Sequence, residues 1–133
     1  MKKYFIDTSI IVDLLADRQP FSKFAIDIFS KAETGKFKLY ASSHSIATTY
    51  YLLRKYTEEG ALRKSIYELF NYLSIIQVDG DMLKKSLLSK HKDFEDAIQI
   101  FCASTIKSLD GIITRNIKDF SLSEIKVYAP DQV

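Results

Sequence analysis

Tryptophan is absent from the 133 residues and cysteine occurs once. A single thiol cannot close an internal disulfide. Cys102 stands between apolar neighbours, where a thiol serves as a small core residue rather than a nucleophile. Histidine occurs only at positions 44 and 91, and neither has a partner at metal-ligand spacing; for His44 a surface, capping or RNA-contacting role remains. The four glycines build no Gly-rich loop of the kind that cradles phosphate. No apolar run approaches the ~18 residues that a membrane-spanning helix needs. Met1-Lys2-Lys3 leads into a short strand pattern and not into the apolar segment of a signal peptide. A cytoplasmic location with no membrane partner is the expectation. The net charge of +2 supplies no strong pull toward nucleic acid or lipid. Repeats, linkers and low-complexity tracts are lacking.

What is present is ordinary for a globular domain: 47% hydrophobic and 27% charged residues. The length is enough to bury a real core, so residues 1–133 are expected to form a single domain. Tyr4-Phe5-Ile6 reads as a buried strand, with Asp7 or Ser9 placed to cap the helix that follows. Phe21, Phe24, Ala25, Ile28, Phe29 and Ala32 form an amphipathic stripe stopped by Gly35. A second strand is expected over 37–41. A third helix spans Ile46 to Tyr56, capped from Ser42, Ser43 or Ser45 and closed near Gly60. A fourth carries Leu62, Ile66, Leu69, Phe70 and Leu73 on one face. Further strands are expected over 75–78, 111–114 and 126–128, with a short helix running to Leu88. This alternation predicts an α/β fold: three layers, α/β/α, around a mainly parallel sheet of about five strands. In such sheets the binding crevice lies beyond the carboxyl ends of the strands.

The stretch from Asp93 to Phe120, DFEDAIQIFCASTIKSLDGIITRNIKDF, organises the rest. Its helix is apolar nearly all round, as a buried helix is, yet it opens with Asp93, Glu95 and Asp96. Acidic residues in a first turn are commonly caps or respond to the helix dipole. Asp96 resists that account. At about 100° per residue it shares a strip with Ile100 and Ala103, which faces the core. On the same wheel Asp93 lies nearer to Asp96 than Glu95 does. Asp7 follows the first strand, and Arg115, Asn116 and Asp119 follow the fourth, so these positions can meet Asp96 at one sheet edge. Carboxylates gathered there repel one another unless a cation sits between them. Oxygen donors select a hard ion, Mg2+ or Mn2+, which can activate water and stabilise charge on a phosphoryl group. Capping by Asp7 remains the plainer alternative.

Three blocks resemble the PIN domain, the metal-dependent nuclease fold of VapC-type toxins: FIDTSIIVDLL (5–15), SSHSIATTYYLLRKY (42–56) and DFEDAIQIFCAS with IITRNIKDF (93–120). The last block resembles most closely a subgroup with the DFEDA and TRN-x-x-DF wording. The resemblance implies an endoribonuclease that hydrolyses RNA with metal-activated water, as the toxin of a toxin–antitoxin pair. It implies Asp7 and Asp96 as metal ligands, with Asp93 able to join them. Asn116 or Asp119 would complete or support the site. A Glu common in the family's middle block is matched by Thr48 or Thr49, and an acidic position after the fourth strand by Asn116. Both departures remove charge while keeping an oxygen. Ser9, Thr48, Thr114, Arg115 and Lys118 are the expected substrate-side residues, Arg115 and Lys118 through the RNA backbone. For Thr114 a strand-packing role is equally open, and for Arg115 and Lys118 a solvated loop.

Tyr50, Tyr51, Leu52, Leu53, Tyr56, Tyr67, Phe70 and Tyr72 exceed what two short helices need for a core, and such residues favour interfaces, with core packing equally open for each. The resemblance adds an antitoxin and a homodimer as the partners expected there. Two other readings compete. One is a PIN-like module that binds RNA or protein with catalysis weakened at Thr48 and Asn116. The other is an unrelated phosphohydrolase, disfavoured because Asp7-Thr8-Ser9 carries no D-x-D.

Overall fold

The computed structural model describes residues 1–133. Five strands, β1 (Lys2–Ile6), β2 (Phe37–Ser42), β3 (Leu73–Ile76), β4 (Gly111–Ile113) and β5 (Val127–Tyr128), form one sheet in the order β3-β2-β1-β4-β5. Every pairing is parallel. The six helices are α1 (Thr8–Leu15), α2 (Ser22–Glu33), α3 (Ser43–Leu53), α4 (Glu59–Leu69), α5 (Gly80–Leu88) and α6 (Phe94–Ser104). The expected three-layer α/β/α architecture is what forms.

Alternation along β1 assigns the layers. Tyr4 and Ile6 enter the cluster that holds Ile10, Ile11, Ala25, Ile28 and Phe29, whereas Phe5 enters the cluster of Ile98, Ile100, Cys102 and Ala103. β4 repeats the pattern, with Ile113 on the first face and Ile112 on the second. A parallel sheet covered on both sides must be apolar on both. Successive side chains point to opposite faces, so three consecutive apolar residues suffice to anchor a central strand. Outside these layers, α3 and α4 close on α1 through Val12, Leu53, Leu62 and Ile66.

Local chemistry sets the helix ends. Asp7, Ser42, Asp79 and Asp93 each cap a helix with a side-chain oxygen. Gly35 ends α2 with φ at +81°, which favours a residue without Cβ. At Gly111 the reason is space, since a Cβ there would strike the Tyr128 ring.

Strand β3 lies two residues earlier than the expected 75–78, β4 and β5 are each one residue shorter than expected, and three further positions differ from the sequence expectation. Helix α3 stops at Leu53, short of Tyr56. Gly60 lies inside the first turn of α4 instead of closing α3, because Glu58 caps that helix by accepting from the Gly60 and Ala61 N–H groups. Leu73 opens β3, where it is buried against Leu69, and does not extend the α4 face. In each case capping and strand pairing outweigh apolar spacing.

Candidate active site

Strand β1 sits at the middle of the sheet, paired with β2 on one side and with β4, which the chain reaches only after β3, on the other. Between their carboxyl ends opens a cavity of about 280 Å3. Asp7 and Asp96 both line it, with Ser9, Thr48, Glu95 and Asn116 around them. Residues 89 positions apart thus share one cavity because β1 and β4 are neighbours while α6 leads into β4.

Asp7 is 5% exposed and rigidly held. Its Oδ1 accepts from the Thr8 N–H at 2.8 Å and from Gln99 Nε2 at 3.2 Å. Its Oδ2 accepts from Thr114 Oγ1 at 2.7 Å and from Ser9 Oγ at 3.3 Å. The Thr114 hydroxyl in turn accepts from the Asn116 N–H at 3.0 Å, so its one proton is directed at Asp7. Asp7 is therefore a helix cap and a cavity residue at once. Thr114 acts behind Asp7, buried, and does not line the cavity.

Asp96 is held differently. No side chain donates to its carboxylate. Burial, then the nearby charge of Asp7, with smaller contributions from Asp93, Asp119 and Glu95, push it up to about 7. The structure thus gathers negative charge around a half-buried carboxyl that no cationic side chain pairs with directly.

The remaining acidic residues divide. Asp93, the nearer neighbour of Asp96 on the helix wheel, is exposed and spends Oδ1 on the Asp96 N–H at 3.0 Å as the cap of α6. It does not line the cavity, and Glu95 does. The wheel compares directions along a regular helix, whereas Asp93 is the cap and lies outside it. Glu95 reaches across to His44 Nε2 at 3.6 Å, and His44 Nε2 stands 3.3 Å from Thr48 Oγ1. Thr49 turns away and donates to the Ser45 carbonyl at 2.7 Å. Asp119 and Lys118 are exposed on the short 3-10 turn Ile117–Phe120 and do not line the cavity.

Arg115 has a partner that apolar spacing did not reveal. Its Nε and Nη2 donate to Asp13 at 2.6 and 3.1 Å, and its guanidinium stacks 4.1 Å from the centre of the Phe21 ring. The Asp13 side chain is 1% exposed. The pair ties the loop after β4 to α1. Arg18, half exposed and 4.0 Å from Asp13, is a second cation at the cavity wall. Gln99, Asp13 and Arg18 were not singled out by pattern. The signal available for the first two was a lone polar residue inside an apolar run.

No three acidic, imidazole or thiolate side chains converge as a ready metal cage. The donor set still fits a divalent hard cation. Mg2+ keeps several waters and is commonly held by only one or two protein carboxylates. Asp7 and Asp96 would supply those two, Asn116 and Thr48 would offer neutral oxygens, and the raised Asp96 carboxyl marks charge that a cation would neutralise. Cys102 takes no part: it is fully buried, its thiol pushed up to about 11 mainly by burial.

The fold and these blocks have relatives. A PIN domain family model matches residues 3–118. Ribonuclease VapC1 of Aquifex aeolicus (strain VF5) is 30% identical over 136 aligned residues, spanning 98% of this chain and 92% of that protein. A chain of a toxin–antitoxin complex from Klebsiella pneumoniae superimposes with a TM-score of 0.67 at 25% identity, covering 96% of this chain and 97% of that one. Mycobacterium tuberculosis VapC20, a sarcin–ricin loop cleaving toxin, shares the fold with a TM-score of 0.68 at 20% identity, over 92% and 96% of the two chains. The matched span takes in Asp7, Glu95 and Asp96, the carboxylates that line the cavity, and the chain belongs to the PIN domain family.

Proposed function

We propose that the chain is a Mg2+- or Mn2+-dependent endoribonuclease, the toxin of a toxin–antitoxin pair. The observation that carries this reading is the meeting of Asp7 and Asp96, from opposite ends of the sequence, in one cavity of a PIN domain chain. The relative named as a ribonuclease and the neighbour solved as a toxin–antitoxin complex support it. Asp7 and Asp96 would hold the cation, with Asn116 beside them and Glu95 as the further carboxylate in reach. Asp93 and Asp119 contribute through charge from outside the cavity. When bound, the cation would supply an activated water and offset charge on the phosphodiester.

The protein's own residues have separable tasks in this reading. Thr114 and Ser9 orient Asp7. Thr48, with His44, lines the same cavity as Asn116. Arg18 and Lys118 meet the RNA backbone, since phosphate contacts fix register without reading sequence. Arg115 is engaged by Asp13 and shapes the site more than it binds substrate. The antitoxin would cover the exposed aromatic surface of α3 and α4, where Tyr51, Tyr56, Tyr67 and Phe70 stand. A homodimer would use the exposed Leu87 and Leu88 at the end of α5; light scattering on Leu88→Glu tests it. No helix is long and apolar enough to cross a membrane.

The decisive assay incubates purified protein with mixed RNA and Mn2+ or Mg2+, beside Asp96→Asn and a chelated sample. Cleavage in the first sample alone is expected. Cleavage that persists in the variant overturns the assignment, and RNA retained without cleavage favours the binding module.

A further inference from the structure

Between Asp96 and Ser104 the helix α6 contains one polar residue, Gln99, and its side chain is 2% exposed. A buried amide is costly unless its donors and acceptor are all met. Those of Gln99 are. Nε2 donates to Ser45 Oγ at 2.7 Å and to Asp7 Oδ1 at 3.2 Å, with Thr8 Oγ1 at 3.4 Å beyond. Oε1 accepts from Ser42 Oγ at 2.6 Å.

The direction of this network follows from a group that can only donate. The Ser45 N–H donates to Ser42 Oγ at 3.0 Å, the cap of α3. The one hydroxyl proton of Ser42 has two acceptors in reach, Gln99 Oε1 at 2.6 Å and Ser45 Oγ at 3.1 Å, and the shorter contact is to the amide oxygen. With the amide oxygen committed to that side, the NH2 must face Ser45 and Asp7. A flipped amide would turn its oxygen on a carboxylate. The network joins the carboxyl ends of β1 and β2 to the buried face of α6, directly behind the cavity.

We infer that Gln99 is a positioning residue for the metal site, holding the Asp7 carboxylate through Nε2 and so setting cation affinity. The inference rests on the reading of Asp7 as a ligand. Partners that orient a ligand are worth about 10–100-fold in affinity.

Gln99→Met keeps the length and volume of the side chain and removes its hydrogen bonds. Calorimetric titration with MnCl2 should show affinity about tenfold weaker in this variant, with an unchanged circular dichroism spectrum. Cys102→Ala, buried on the same helix outside the network, should lower the thermal midpoint and leave affinity alone. In the wild-type protein the buried Gln99 side-chain amide signal should move when diamagnetic Mg2+ is added, and this reads the coupling even if the Met variant does not fold. Unaltered Mn2+ affinity in Gln99→Met, or an amide signal that stays fixed while Mg2+ binds, overturns the inference and leaves the metal site standing. A wild-type protein that binds neither ion overturns the site reading and the inference together.

Discussion

Asp7 and Asp96 face the same cavity and are held in opposite ways. Asp7 is buried and receives four hydrogen bonds, from Thr8, Gln99, Thr114 and Ser9. Asp96 receives none and is pushed up to about 7 by burial and by its acidic neighbours. One carboxylate is solvated by the protein, and the other is left with unmet charge. The lesson is that a site of two carboxylates can have a fixed half and a half that responds to what binds. The fixed half belongs to the centre of the sheet. The responsive half belongs to the first turn of a helix, where side chains still reach solvent.

The largest test of this contrast applies one substitution at both positions. Asp7→Asn and Asp96→Asn should each lower metal-dependent RNA cleavage by about a thousandfold, about 4 kcal/mol of barrier. Their effects on stability should have opposite signs. Asp7→Asn sets an amide NH2 against committed donors and should cost about 1–3 kcal/mol by denaturant unfolding. Asp96→Asn removes an unmet charge and should raise the melting midpoint of the metal-free protein. Two falling midpoints would break the comparison.

Next in size is the clamp behind Asn116. Arg115→Ala leaves the buried Asp13 with only Arg18, 4.0 Å away, and should destabilise the protein by about 3 kcal/mol in urea unfolding. Cleavage by the protein that remains folded should also fall, because the loop after β4 loses its tie to α1. Loss of stability with full activity would mean that Thr114 positions Asp7 without help from the clamp.

The third test uses pH. The Asp96 carboxyl is raised in the folded protein, so its ionisation opposes folding. The stability of the protonated form is present in full below the ordinary carboxylate value near ~4 and is lost as pH rises through about 7. The melting midpoint of metal-free wild type should therefore fall by a few degrees between about pH 5 and about pH 8. Asp96→Asn should flatten that slope, and Mn2+ should offset it in the wild type alone.

The smallest effect is expected at Asp93. As a cap, Asp93→Ala should cost about 1 kcal/mol in unfolding experiments, and Asp93→Ser should restore most of it. Mn2+ affinity should change little in either. A loss of affinity in Asp93→Ser comparable to that in Asp96→Asn would return Asp93 to the ligand set.

These residues also mark how far sequence pattern reaches. The five strands, the six helices and the order of blocks follow from apolar spacing, because burial on both sheet faces imposes that spacing directly. Asp96 could be singled out because a carboxylate on a core-facing strip conflicts with its surroundings. Pattern misses side chains whose role depends on a distant partner. Asp13 pairs with Arg115 across 102 positions, and Gln99 with Asp7 across 92. A helix wheel orients a residue about its own axis and says nothing of which element lies opposite. The same limit explains Glu95, turned toward His44 on α3, and Leu73, claimed by β3.

By itself, the sequence determined the α/β/α layers, the sheet edge at which chemistry can gather and the two carboxylates Asp7 and Asp96. Local spacing and helix periodicity are enough for the layers, the edge and the misfit of Asp96, whereas the choice of Asp7 over a plain cap came with the PIN resemblance. Only the tertiary structure decided that Asp7 is pinned while Asp96 is not, that Arg115 is bound to Asp13, and that Asp93 serves as a cap while Glu95 lines the cavity. Each of these depends on where a hydrogen-bond partner from another element comes to rest, and that position exists only once the sheet has formed.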